Sequence, residues 1–199
     1  MMKRPLAVAV ALALGAGCAS GTQVRRMDVN EVKDISGRWN DTDSRLVAEE
    51  MIQDSLSRAW LATATARKGS QPTVIVQAVR NSSMEHINTD TFVEDLQRAL
   101  INSGRVQFVA SAAERGELRA ERADQDVNAS DATRKAHGQE TGADYALSGT
   151  INSIQDREGG ESVVLYQINL KLLDMKSNQI VWNGQKKIKK NVSRSSASF

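Results

Sequence analysis

The last third of the chain alternates apolar and polar side chains with a period of two. Apolar residues occupy every second position from 164 to 172, with Gln167, Asn169 and Lys171 between them. Because successive side chains of a β-strand point to opposite faces of a sheet, this pattern predicts a half-buried antiparallel strand. The same period at 145–151 and at 180–188 predicts two more strands, so the fold must accommodate an antiparallel meander.

The region before residue 145 predicts helices and two short buried strands. Capping boxes at Thr91–Glu94 and Ser111–Glu114 mark two of the helix starts. The predicted elements are helices at 43–64, 91–103, 111–126 and 131–141, and strands at 73–79 and 105–110. Their order predicts an α/β (α+β) fold with a single mixed β-sheet of about four to five strands flanked by helices.

The N-terminus predicts export. Lys3 and Arg4 precede an apolar run from Leu6 to Leu14, which is too short to span a bilayer, so residues 1–17 are predicted to be a signal peptide. Cys18 is the only cysteine and follows small residues, in a stretch that resembles a bacterial lipobox. We expect Cys18 to be lipidated. The alternative is ordinary signal-peptidase cleavage that leaves a free thiol.

The remaining boundaries follow from composition. Residues 18–34 contain the lipidated cysteine and a short flexible tether, 35–192 form the globular domain, and 193–199 form a C-terminal tail. Ala19, directly after the cysteine, resembles the default signal for sorting to the outer membrane. We therefore expect a lipid-anchored protein on the periplasmic face of the outer membrane.

Charge and residue types exclude several functions. Removal of residues 1–17 leaves 24 basic and 24 acidic side chains, so the mature chain lacks the positive charge that nucleic-acid binding requires. The two histidines, His86 and His137, and the single cysteine have no metal-ligand spacing. We therefore predict no catalytic residue, no metal or other cofactor and no small-molecule substrate, and we do not expect an enzyme.

The stretch DISGRWNDTDSR at 34–45 contains a tryptophan among turn-forming and polar residues. Asn40 and the residues after it are helix N-cap types, so Trp39 directly precedes a predicted helix start, where an apolar side chain can pack back onto the first turn. Two roles remain open for Trp39, a lid on the core and a contact with a partner.

Two lysine pairs, Lys186–Lys187 and Lys189–Lys190, flank Ile188 in the last predicted strand. Such a run is typical of a solvated edge strand that lysines protect from aggregation. The alternative is contact with an acidic partner or with lipid head groups.

Five features together resemble the LpoB family of outer-membrane lipoproteins, which activate bifunctional penicillin-binding proteins. They are Cys18, SGRWNDTDSRLVAEEMI at 36–52, TVIVQAVRN at 73–81, GADYALSGTI at 142–151 and INLKLLDMKSNQIVWNGQKKIKK at 168–190. The resemblance implies a fold similar to the N-terminal domain of TolB. It also implies a non-catalytic protein that docks on a peptidoglycan synthase of the inner membrane and raises its activity.

The tether departs from the family pattern, because enterobacterial members have a long proline-rich tether. Here Cys18 and Asp34 are sixteen positions apart, which is at most roughly 55 Å of extended chain. The resemblance leaves open a second non-catalytic role, as a component of an envelope assembly similar to the curli-export or flagellar lipoproteins. The partner-binding candidates are the exposed residues of the most distinctive block, Arg38, Trp39, Asn40 and Asp41.

Overall fold

The computed structural model describes residues 24–29, 31–134 and 138–193. Contacts divide the chain into two units, Met1–Glu31 and Val32–Phe199. The described residues of the first unit form no helix or strand. Cys18 and the predicted signal peptide at 1–17 lie outside the described residues, so those predictions and the domain boundaries built on them remain predictions.

Four helices and five strands make up the second unit within the described ranges. In chain order they are α1 (Asp41–Ser57), α2 (Ala59–Lys68), β1 (Thr73–Ser82), α3 (Thr89–Asn102), β2 (Gln107–Phe108), α4 (Ala112–Asn128), β3 (Tyr145–Glu158), β4 (Glu161–Asp174) and β5 (Ile180–Ser193).

The strands form one mixed sheet in the order β2-β1-β3-β4-β5. β1 pairs in parallel with both β2 and β3, because α3 and α4 return the chain to the same end of the sheet. The pairs β3–β4 and β4–β5 are antiparallel and form the predicted meander. The predicted fold class, α+β with a single mixed sheet flanked by helices, is confirmed.

α1 and α3 cover one face of this sheet. α1 packs against α3 and β5, and α3 also packs against β1. The period of two in β4 appears directly as burial, since Tyr166, Ile168 and Leu170 are each 0% exposed while the residues between them are half-buried. Burial of each such side chain stabilises the fold by about 1.5–3 kcal/mol, so β4 is the centre of the core.

The predicted helix at 43–64 is two helices. The break is at Arg58, whose backbone is extended, with φ −84° and ψ 158°. The indole Nε1 of Trp60 donates to the carbonyl oxygen of Ser55 at 2.7 Å and so satisfies a backbone acceptor where α1 ends. The periodicity missed the break because Leu56 and Trp60 face the same core from either side of it.

Two other helix predictions differ from the structure. α3 begins at Thr89, and its N-cap is Asn88, whose side chain accepts from the Asp90 amide at 3.0 Å, so the predicted start at Thr91 was wrong. The short helix predicted at 131–141 is absent from its described residues, 131–134 and 138–141. Glu140 of this irregular stretch pairs with three arginines of α4.

Candidate functional site

Residues 34–40, which we call the entry segment, lie against the covered face of the sheet. Tyr166 of β4 is fully buried beneath them, and its hydroxyl lies 3.0 Å from the carbonyl oxygen of Gly37. A Cβ at Gly37 would lie 2.3 Å from Cγ2 of Val192, so any larger residue here would displace that side chain. The entry segment is therefore fitted to β4 and β5 by both a hydrogen bond and shape.

Glu85, in the loop between β1 and α3, joins the same contacts. The Tyr166 hydroxyl donates to Glu85 Oε1 at 2.6 Å, and the Trp39 amide donates to Glu85 Oε2 at 3.3 Å. Burial and the nearby Glu85 carboxylate raise the pKa of Tyr166 well above its ordinary value, because both disfavour a phenolate. The tyrosine thus stays protonated and remains a hydrogen-bond donor.

Lys190 of β5 holds the other side of the entry segment. Its Nζ lies 2.8 Å from Asp34 Oδ1, 2.5 Å from Asp43 Oδ2 and 3.1 Å from the carbonyl oxygen of Arg38. Its side chain is only 9% exposed. Burial alone would lower the pKa of Lys190, but the hydrogen bonds that it donates to the two carboxylates outweigh burial and raise its pKa. We call Glu85, Tyr166 and Lys190 together the clamp.

Trp39 is half-buried and caps the core at this point. Its ring makes edge-on contacts with Phe92, at a centroid distance of 6.0 Å, and with Tyr166, at 5.7 Å. Such aromatic pairs add about 0.5–1.5 kcal/mol each beyond the area that they bury. This geometry supports the lid role that the sequence left open.

The other three predicted partner-binding residues divide into structural and exposed members. Asn40 is the N-cap of α1 in a complete capping box with Asp43, and its side-chain amide donates to Asp34 at 2.6 Å. Arg38 and Asp41 are exposed, so only these two present their side chains freely to a partner. All four residues remain predictions as partner contacts.

The sequence did not predict that Glu85, Tyr166 and Lys190 act together on the entry segment. The alternation placed Tyr166 in the core, and a buried tyrosine hydroxyl needs a partner, but nothing in the sequence identifies Glu85 as that partner. In each of the two lysine pairs of β5, the two lysines point to opposite faces of the sheet. Lys186 bonds to Glu50 at 2.5 Å and Lys190 to its two aspartates, whereas Lys187 and Lys189 are exposed on the opposite side of the strand.

A cleft of about 730 Å³ adjoins the entry segment. It is lined by residues 36–39, the loop at 84–86 and the hairpin between β3 and β4, and the lining includes Arg38, His86 and Arg157. In the described part of the chain, no three His, Cys, Asp or Glu side chains lie close enough together to hold a metal ion. His137 lies outside the described residues.

None of the helices in the described ranges is long and apolar enough to cross a bilayer.

These features define a small α+β domain with one mixed sheet, one covered face and an ordered segment at its N-terminal edge. The family model described as "Peptidoglycan-synthase activator LpoB" matches residues 43–188, and the chain belongs to the LpoB family. The family is named for a regulatory role and not for a catalytic one, and its members are envelope lipoproteins.

Solved structures similar to this chain include the C-terminal domains of LpoB from Escherichia coli and from Salmonella enterica. The first is 16% identical with a TM-score of 0.46, and the second is 17% identical with a TM-score of 0.42. Each comparison covers 73% of this chain and 98% of the other. A PelC dodecamer from Paraburkholderia phytofirmans is 15% identical, with a TM-score of 0.33, over 60% of this chain and 73% of that one. A search of curated proteins found no match.

Trp39→Ala should destabilise the domain. Removal of the ring opens a gap above Phe92 and Tyr166, and we expect the free energy of unfolding to fall by about 2–3 kcal/mol, less than for a fully buried tryptophan because Trp39 is only half-buried. Urea unfolding followed by circular dichroism measures this change. Trp39→Phe, which keeps an aromatic ring, should lose less. Wild-type stability in Trp39→Ala would contradict the lid role.

Lys190→Met should cost about 2 kcal/mol, because it leaves Asp43 without its lysine while the more exposed Asp34 regains water. The difference from wild type should depend on pH. Because the pKa of Lys190 is raised above 10.5 in the folded protein, its contribution to stability is fully present below pH 10.5. That contribution is lost as the pH rises through the pKa of Lys190 in the folded protein. The hydrogen bond from Lys190 holds the pKa of Asp34 below 3.8 in the folded protein. The resulting contribution to stability is present above pH 3.8 and is lost as the pH falls through the pKa of Asp34 in the folded protein.

Urea unfolding of both proteins across pH tests this expectation. The stability difference between wild type and Lys190→Met should be constant between about pH 5 and pH 9 and should shrink on either side. A difference that does not change with pH would show that Lys190 acts through packing alone.

Proposed function

We propose that this chain is an outer-membrane lipoprotein, anchored through Cys18 after removal of residues 1–17, that binds and activates a bifunctional penicillin-binding protein. The observation that carries the proposal is the family match over residues 43–188, which includes every described helix and strand apart from the ends of α1 and β5. The sequence blocks at 36–52 and 168–190 support it, because Lys190 of the second block bonds to Arg38 and Asp43 of the first.

Activation without catalysis is an allosteric effect. The domain raises the rate of glycan polymerisation only if it binds the active conformation of the synthase more tightly than the resting one. A tenfold activation by this route requires about 1.4 kcal/mol of differential binding. An ordered docking surface favours such selectivity, because little conformational entropy is lost on binding. The clamp supplies that order at the entry segment.

The exposed side chains at this edge are the docking candidates. Arg38 follows the buried Gly37, and Asp41 begins α1. The clamp fixes the backbone between them, so a partner meets one positive and one negative charge at a set spacing. Trp39 and Asn40 act within the domain and contribute to docking by holding this arrangement.

The length of the tether limits how far from the outer membrane the domain can bind the synthase. Extended chain from Cys18 to Asp34 reaches at most roughly 55 Å, and a domain of this size adds about 40 Å. The docking domain of the synthase must therefore extend to within about 95 Å of the outer membrane.

A glycan-polymerisation assay with the same organism's bifunctional penicillin-binding proteins tests the proposal. We expect the full-length chain in detergent to accelerate one synthase several-fold and saturably. The double variant Arg38→Glu with Asp41→Lys should need at least tenfold more protein for the same effect, since each reversal places like charge against like. Its control is Arg105→Glu with Glu117→Lys, which makes the same charge changes at exposed positions away from the entry segment.

If the folded wild type accelerates none of the synthases, the activator proposal is wrong. The alternative role in an envelope assembly would then predict a stable oligomer by light scattering. If wild type and both double variants activate equally, the activator proposal stands and the docking role of Arg38 and Asp41 fails.

A further inference from the structure

The sheet has a second face, opposite to α1 and α3. Strand register assigns to it the even-numbered residues from Ser148 to Asp156 of β3 and the odd-numbered residues from Val163 to Lys171 of β4 and from Asn183 to Asn191 of β5. We call these residues the open face. In the described part of the chain, no helix packs extensively against these three strands from this side. At strand spacing the open face measures roughly 15 by 30 Å.

The centre of the open face is an ordered polar surface. Thr150, Asn169 and Gln185 lie side by side across the three strands. The Asn169 side-chain oxygen accepts from Gln185 Nε2 at 3.0 Å and from Gln167 Nε2 at 3.3 Å. These amides are therefore oriented by one another and present a defined pattern of donors and acceptors.

The charge of the open face is positive along its β4 and β5 rows. Lys171, Lys187 and Lys189 are exposed, and in the described residues none of them has an acidic partner. Arg80 of β1, beside Thr150, adds a fourth such cation. The carboxylates on this side begin only at Asp156 and continue at the hairpin, at Glu158 and Glu161.

The lysines of β5 differ in their partners according to the face of the sheet on which they lie. Lys186 and Lys190 face the helices and pair with acidic side chains at 2.5 Å. Lys187 and Lys189 lie between them in the same strand, face away from the helices and have no such partner. Edge protection needs only exposed lysines, but it does not account for Arg80 and Lys171, which lie on inner strands of the sheet.

A small apolar group lies beside the cations. Ile154 is 68% exposed, and Val163 and Leu165 of the neighbouring strand are half-buried next to it. An apolar group bordered by polar and charged side chains is a common feature of non-obligate protein interfaces. At roughly 450 Å², the open face is little more than half of one side of a standard interface, which suits a weak and reversible contact.

We propose that the open face is a docking surface for an acidic protein surface. The identity of that partner rests on the proposed function, which makes it the periplasmic part of the peptidoglycan synthase. The lysines of β4 and β5 speed and orient the encounter, the oriented amides set its register, and Ile154 enters a depression on the partner. An anionic membrane is the competing class of partner, but the open face has no aromatic side chain to enter a lipid interface.

The test uses the full-length chain with Lys187→Glu and Lys189→Glu. Its matched control carries Arg105→Glu and Lys176→Glu, an equal change of charge at exposed residues that lie in loops outside the open face. Biolayer interferometry at about 0.1 M salt measures binding to the synthase that wild type activates, and sedimentation measures binding to vesicles of three parts phosphatidylethanolamine to one part phosphatidylglycerol.

We expect the open-face variant to bind the synthase at least tenfold more weakly, with a smaller dependence on salt, while the control binds as wild type does. Equal binding by both variants would overturn the docking assignment but leave the activator function intact. Loss of vesicle binding alone, with synthase binding unchanged, would also overturn it and would favour the membrane. If wild type binds no synthase, the proposed function falls and this assignment falls with it.

The two candidate surfaces are separable in the same assay. Arg38 belongs to the entry segment on the covered side, because its carbonyl bonds to Lys190, whereas Lys187 and Lys189 lie on the other side. Weakened binding only in the Arg38 and Asp41 double variant would overturn the open-face proposal. Weakened binding only in the lysine variant would support it.

Discussion

The contact between Tyr166 and the entry segment is the constraint on which the arrangement of this domain depends. A tyrosine at the centre of β4 is completely buried, so its hydroxyl must find partners inside the protein, and it finds Glu85 and the carbonyl of Gly37. Satisfying that single group brings together three parts of the chain that are distant in sequence. Lys190 then fixes the same segment from β5, and the first helix begins where the segment ends.

This arrangement gives the two faces of the meander different tasks. The residues of β4 and β5 that face the helices bury apolar groups or pair their charges, which stabilises the domain. The residues that face away carry unpaired cations and oriented amides. Such groups destabilise a fold when they are buried, but on the surface they are available to a partner. One alternating stretch of sequence thus supplies both part of the core and the proposed docking surface of this chain.

Much of the fold followed from local patterns. The period of two predicted the meander, and the box at Ser111–Glu114 predicted the start of α4, where both of its hydrogen bonds are present. The break at Arg58 was not predictable from spacing, since residues on both sides keep the helical period. The clamp was beyond reach for a different reason: Lys190 and Asp34 are 156 positions apart, and Tyr166 and Glu85 are 81 positions apart. Pairings of that range depend on the assembled sheet, and the sequence marks neither partner.

The central claim is that this domain acts by docking on a peptidoglycan synthase through surfaces that the clamp and the sheet hold in order. The most direct measurement is a map of backbone amide chemical shifts in the isotope-labelled chain as the synthase is added. The account predicts that the largest changes fall on the outward-facing residues of β4 and β5 and along the entry segment, while the amides of α3 stay unchanged. Changes centred on α3, or none at saturating synthase, would contradict it.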